Sequence, residues 1–180
     1  MIKAALLVLV CLLNSGKLFA QSSSNMSEKE MFTLIRGEYL GSLKGYGWGA
    51  GVDLYSWEKS GKWLLPLAIN LEHYNLVDQD NYTDLKATLL ILGFRFSNQV
   101  RKNIFFNLHG KFPVGQESYR TSAKEVKVFA FGLGASESLS FISGGKNGIL
   151  ISAGVFQQVL LTTDVYKFDL GYSLGVGLKF

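Results

Sequence analysis

The chain has 180 residues, 48% of them hydrophobic and only 18% charged, which excludes a disordered chain and an ordinary charged-surface globule. Twenty glycines, two prolines, 13 Phe and 8 Tyr describe one domain of many strands closed into a small barrel or sandwich, and argue against a large helical core. The formal charge is +4, and loss of Lys3 and Lys17 with a leader leaves 16 basic against 14 acidic residues; with Arg101-Lys102 as the densest basic cluster, nucleic-acid binding has no footprint.

Residues 1–20 have the order of a secretory signal: Lys3, an apolar run from Ala4 to Leu13, then Asn14-Ser15-Gly16 and a small-residue end at Ala20 before Gln21. The apolar run is too short to cross a bilayer as a helix, which takes about twenty residues. Cys11 is the only cysteine. Val10 stands before it where a lipidation signal requires a small residue, so acylation is disfavoured. A mature chain without Cys11 has neither disulfide nor thiol chemistry. Residues 21–30 are polar and are expected to form a flexible start, with a barrel over 31–180.

From residue 31 onward a two-residue period recurs. A first strand is expected over 31–41. Tyr46, Trp48, Ala50, Val52 and Leu54 then alternate with glycines and Asp53. Trp63, Leu65, Leu67, Ile69 and Leu71 alternate with a set ending at Glu72. Leu90, Leu92, Phe94 and Phe96 oppose Gly93, Arg95 and Ser97; Phe106, Leu108 and Phe112 oppose Asn107, His109 and Lys111. Phe129, Phe131, Leu133 and Ala135 oppose Ala130, Gly132, Gly134 and Ser136, and Ile149, Ile151, Ala153 and Val155 oppose Ser152, Gly154 and Phe156. The last run is the purest, with Tyr166, Phe168, Leu170, Tyr172, Leu174, Val176, Leu178 and Phe180 on one face and Lys167, Asp169, Lys179, Ser173 and glycines on the other. The count is eight, and the expected fold is an all-β, antiparallel, up-and-down transmembrane barrel following a cleaved signal peptide.

Loop lengths agree with a spanning barrel whose ends are both periplasmic, because such barrels have short turns on that side and longer loops outside. The connections 58–61, 98–103 and 143–147 are short, while 76–84, 113–125 and 160–164 fall on the other side. Large apolar residues on one face and glycine or charge on the other suit lipid outside and a polar lumen, the reverse of a soluble lipocalin-type barrel. Trp63, Phe96 and Phe180 at one end, and Tyr46, Trp48, Phe112 and Tyr166 at the other, are expected to form aromatic girdles. Eight strands leave an interior just wide enough for side chains. Asp53, Arg95 and Lys179 are expected inside near the periplasmic end, and Glu72, Lys111, Lys167 and Asp169 inside nearer the surface, as a structural charge network. Glycines on the lumen face leave room for aromatic rings from across the barrel, or for a plug made by residues 21–30.

Gly45-Tyr-Gly-Trp-Gly-Ala-Gly51 resembles a phosphate loop only superficially, since its glycines alternate on a strand and no helix pattern follows. The stretch Glu72-His73-Tyr74-Asn75 is faintly similar to the His-x-Ser-Asn of lipid A deacylases, but Asn75 stands where the serine nucleophile belongs. His109 reads as a hydrogen-bonded lumen residue. Two separated histidines without a mature cysteine give no metal set, and no cofactor or catalytic residue is expected.

The final strand, with Tyr172, Leu174, Val176, Leu178 and a terminal Phe180, resembles the signal by which outer-membrane barrels engage their assembly machinery. A narrower similarity lies in Gly93-Phe-Arg-Phe, Arg101-Lys-Asn-Ile-Phe-Phe-Asn107, Gly115-Gln-Glu117, Gly132-Leu-Gly134 and the ending Thr163-Asp164 to Phe180. These resemble the TraO family of conjugative-transposon outer-membrane proteins over the last 90 residues or so. The resemblance implies an outer-membrane location and a part in conjugal transfer or another envelope machine. The expected partners are outer-membrane lipid, the barrel-assembly machinery and further envelope proteins. A lipid-modifying barrel enzyme and a soluble periplasmic ligand-binding barrel are the alternatives.

Overall fold

The computed structural model describes residues 30–57, 67–78, 82–143, 147–163 and 165–180; the expected leader and, save Glu30, the segment 21–30 lie outside them. Eight strands follow in chain order: β1 (Glu30–Ser42), β2 (Gly45–Trp57), β3 (Leu67–Leu76), β4 (Thr83–Arg101), β5 (Ile104–Arg120), β6 (Glu125–Ile142), β7 (Gly148–Leu160) and β8 (Phe168–Lys179). Each pairs antiparallel with the next and β8 pairs with β1, so the sheet closes into a barrel without free edges along its body. The seam ends where Thr33 and Phe180 exchange backbone hydrogen bonds of 3.1 and 3.0 Å.

Stepping from partner to partner, Leu34 leads through Asp53, Ala68, Gly93, Lys111, Gly134 and Gln158 to Asp169. The β8–β1 register then returns to β1 at the level of Lys44, ten residues from the start. A stagger of this size tilts the strands by roughly 40° to the barrel axis.

The upper end carries the β1–β2, β3–β4, β5–β6 and β7–β8 connections; the lower end carries the remaining three, the start of β1 and Phe180. At the lower end Lys102 and Asn103 alone join β4 to β5, and Asn103 has φ of 66°, a left-handed conformation that asparagine tolerates. The β2–β3 connection, with Trp63 and Leu65, lies outside the described residues.

Three expectations change, the first being the connection expected over 98–103, which is strand up to Arg101. The long loop expected over 113–125 is strand up to Arg120, and only Thr121–Lys124 turns, closed by a 2.9 Å bond from the Thr121 N–H to the Lys124 carbonyl. Pro113 misled the reading: it lacks an N–H, so the β5–β6 ladder skips it, but the register on either side is unchanged. Consequently β4, β5 and β6 extend above their neighbours, and β6 pairs with β7 only from Gly132 downward. The third strand also reaches Leu76, further than its alternation was followed.

Alternation sorts the side chains by face. Outward positions on all eight strands carry exposed apolar residues, among them Ile35, Leu54, Ile69, Leu92, Leu133 and Val176, the last 64% exposed. Inward positions carry the buried ones. An upper internal cluster contains Leu40, Tyr74, Leu89, Ile91, Phe156 and Tyr166, and a lower one Leu34, Ile142 and Leu150 with Phe105 against them. Rings do fill the space beside lumen glycines, but from the adjacent strand and not from across the barrel. A Cβ on Gly171 would stand 2.6 Å from the Phe156 ring, and one on Gly47 3.1 Å from Tyr74.

Candidate functional site: the filled lumen

Between the two apolar clusters lies a ladder of polar side chains, each placed inward by strand parity. At its lower end Asp53 of β2 is fully buried between two guanidiniums, with Arg36 Nε at 3.0 Å and Arg95 Nη1 at 3.2 Å. Arg36 also pairs with Glu38, two residues along the same face. Beside this group Asn107 accepts from the Ser97 hydroxyl at 2.6 Å, and its amide nitrogen donates to Ser140 Oγ at 2.8 Å. Two cations around one carboxylate is a net-positive arrangement, so Glu38 is needed for balance.

Higher up, Lys111 of β5 crosses to Glu72 of β3, Nζ to Oε1, at 2.5 Å. The second oxygen of Glu72 accepts from the Tyr74 hydroxyl at 2.7 Å. Lys111 also sits 5.2 Å from the centroid of Phe156, where the ring face offers a cation–π contact. His109 lies below, with Nδ1 3.4 Å from Arg95 Nη2.

The upper mouth is closed by the β7–β8 connection, which folds inward. Thr163, Val165 and Tyr166 are buried, and Lys44 of the β1–β2 turn holds the Val165 carbonyl at 3.1 Å. Tyr166, 1% exposed, stacks 5.6 Å from Tyr74 between ring centroids. Its hydroxyl donates to Asp169 and accepts from the Gln158 amide at 3.1 Å, while its backbone N–H donates to Glu117 at 3.1 Å. Burial, then the Asp169 charge beside it, pushes the Tyr166 phenol well above its ordinary range, so it stays a donor.

Of the residues expected in the lumen, Asp53, Arg95, Glu72, Lys111 and Asp169 are buried inside. They form two ion-pair groups and a hydrogen-bonded cap instead of one network. Lys179 is half-buried at the lower rim. Lys167 does not belong with them: it is exposed, because it precedes β8 and parity does not govern it. For the same reason Tyr166 is not in an outer girdle. Tyr46, Trp48, Phe112 and Phe180 do face outward. So do Tyr172, Leu174, Val176 and Leu178, in an unbroken line down β8. Arg36, Glu38, Glu117, Gln158 and the Tyr74–Tyr166 pair are the functional side chains that the sequence reading did not place.

The site offers little for catalysis. His109 faces cations, not a nucleophile. On the outer surface His73 Nδ1 lies 2.9 Å from the Thr88 hydroxyl and its ring 5.9 Å from Trp48. Among the described residues no carboxylate bonds to its other nitrogen, so the orienting third member of a triad is missing. No group of three or more metal-ligating side chains occurs among the described residues.

Comparison with protein-family models gives no match, and comparison with curated proteins gives none either. Solved structures do match. The chain is similar to Neisserial surface protein A (NspA), with a TM-score of 0.59 at 11% identity, covering 85% of this chain and 98% of that one. It is also similar to the N-terminal β-barrel domain of Pseudomonas aeruginosa OprF, with a TM-score of 0.57 at 13% identity, covering 85% and 100%. At such identities the likeness is one of fold.

Proposed function

We propose that this chain is a non-enzymatic integral barrel of a Gram-negative outer membrane, acting as a structural or interaction subunit of an envelope assembly. One observation carries the reading: the outward face carries exposed apolar residues on every strand, with Glu137 the one charge within that belt on β6, while Arg36, Asp53, Glu72, Arg95, Lys111 and Asp169 are buried inside. A soluble barrel with that surface would present a continuous apolar belt far beyond the few hundred Å² that soluble monomers tolerate, whereas lipid requires it. The neisserial surface protein and the OprF barrel share the architecture. The lumen is packed by rings and ion pairs, which favours an anchor over a pore.

Fractionation to the outer membrane, resistance to carbonate extraction and heat-dependent migration on a denaturing gel are the expected results; release by carbonate as a soluble protein would overturn the reading. Planar-bilayer recordings are expected to show no defined conductance steps. A role in conjugal transfer rests on the TraO resemblance of the second half of the chain. It predicts a drop in transfer frequency on deletion, and unchanged transfer would remove it. The His73–Thr88 pair beside Trp48 supports a second reading, a lipid-modifying enzyme, which unaltered lipid A on deletion would eliminate.

A further inference from the structure

Below the exposed Glu125 and Lys127 at its upper end, the outward positions of β6 run Phe129, Phe131, Leu133, Ala135, Glu137, Leu139 and Phe141. Glu137 is the single charge among them. Its partners across the ladder are Leu108 on β5 and Val155 on β7, both outward and apolar. On strands tilted as these are, it stands level with Val52, Ile69, Leu92 and Leu174, each flanked above and below by further outward apolar residues. Phe141 lies four residues lower, roughly 10 Å along the axis. Glu137 is therefore near the middle of the belt, too deep for its short side chain to snorkel to either rim. No hydrogen bond or ion pair joins its carboxyl to another described residue.

Acyl chains cannot satisfy such a group, and a polar side chain at this depth points to a protein partner. The surface around it is shaped for close approach. Ala135 sits one outward position above Glu137 and pairs with Gly110 of β5; Ala153 lies diagonally below on β7. A Cβ at Gly110 would meet nothing within 4 Å, so the notch beside Glu137 is open. Small residues at a membrane interface let two backbones approach closely. Gln157 of β7, opposite Ala135, faces outward one position above Val155, the partner of Glu137, and brings an amide donor to an otherwise apolar face.

We propose that this β5–β6–β7 face pairs two copies of the chain within the membrane, an inference that rests on the outer-membrane reading above. A two-fold axis along the membrane normal keeps every residue at the depth of its counterpart. Glu137 thus stands at the depth of Glu137 of the second copy, and the Gln157 side chains put amide donors on the same face for the carboxyl oxygens to accept from. The patch is complementary to itself because it holds acceptor and donor together. Among the described residues the exposed cations lie toward the two ends, Arg120, Lys124, Lys127 and Lys167 above and Arg101 and Lys102 at the lower β4–β5 turn, too far to serve instead.

Cysteine cross-linking in isolated outer membranes tests this, in a Cys11→Ser background since Cys11 is the only native cysteine. Ala135→Cys is expected to give a disulfide-linked band of twice the monomer mass, and Val52→Cys, level with Glu137 on the far side, is expected to give none. Adding Glu137→Leu should cut the Ala135→Cys dimer at least tenfold while heat-dependent migration persists; Glu137→Gln should retain it. Equal cross-linking from Val52→Cys, a dimer unaffected by Glu137→Leu, no dimer from Ala135→Cys, or an adduct whose mass is that of another protein would each overturn the pairing. Loss of heat-dependent migration in the unsubstituted chain would instead defeat the membrane-barrel reading itself, so the two failures are separable.

Discussion

Lys111 and Glu72 meet at 2.5 Å across the lumen from strands that are not neighbours in the sheet, since β4 lies between β3 and β5. The pair braces the barrel through its interior, independently of the backbone ladder. Both groups are almost fully out of solvent, so removing one leaves the other as an uncompensated buried charge. Lys111→Met is expected to cost about 3–5 kcal/mol, and Lys111→Met combined with Glu72→Leu to recover more than half of that. Urea unfolding of the folded barrel in phospholipid vesicles, followed by tryptophan fluorescence, measures both. A double variant no more stable than the single one would show that the pair is not coupled.

The lower group gives a different ordering. Asp53 stands between Arg36 and Arg95, so Asp53→Asn leaves two guanidiniums with no anion between them, whereas Arg95→Met leaves Asp53 still paired with Arg36. Asp53→Asn is expected to be the more destabilising, by about 3 kcal/mol or more. Equal unfolding midpoints for the two variants would contradict this.

Tyr166 carries a pH dependence of known sign. Its folded phenol ionises well above the usual range, while in the unfolded chain it ionises near pH 10. The unfolded state then releases a proton that the folded state keeps, so the contribution is complete below about pH 10 and declines as pH rises beyond it. Tyr166→Phe is expected to flatten that decline and to cost about 1–3 kcal/mol at neutral pH, since Asp169 and Gln158 lose their partner. Stability curves from pH 8 to 11 read both effects; an unchanged alkaline slope would disprove the assignment.

Packing beside the β8–β1 seam is tight at one glycine and loose at another. A Cβ on Gly171 would stand 2.2 Å from the Gly41 carbonyl oxygen as well as against Phe156, whereas one on Gly37 has its nearest neighbour at 4.0 Å. Gly171→Ala is expected to destabilise by about 1–3 kcal/mol through overpacking, and Gly37→Ala to change stability by less than about 0.5 kcal/mol. The fraction of heat-modifiable, folded barrel after refolding into vesicles distinguishes them.

Much of this was legible in the sequence, because a two-residue period assigns a side chain to a face as soon as its strand is known. Asp53, Arg95, Glu72, Lys111 and Asp169 were all placed inside that way. The failures occur where the period stops. Tyr166 and Lys167 were assigned faces by extending the last run past the start of β8, but before Phe168 the chain turns inward and parity says nothing. Glu117 was missed because Pro113 read as the start of a loop, although an unpaired N–H position interrupts only one ladder. Glu137 lies past Ala135 and Ser136, where the alternation of the sixth strand was followed no further, although β6 continues to Ile142. Which ions pair across the lumen depends on the barrel's stagger, and no local pattern encodes that.

The three long strands have a mechanical consequence. Above Phe129, where Leu161 and Thr162 make the last bonds from beyond β7 to β6, the strand pairs with β5 alone, and the hairpin ends in a four-residue turn already closed by Thr121. This arm is extended backbone held by its own ladder, so a binder gripping it meets a lever already set, with little freedom left to forfeit. A tag grafted at Ser122-Ala123 would be displayed on a stiff mast, and a bound load would pull on the barrel wall at β5 without first uncoiling slack.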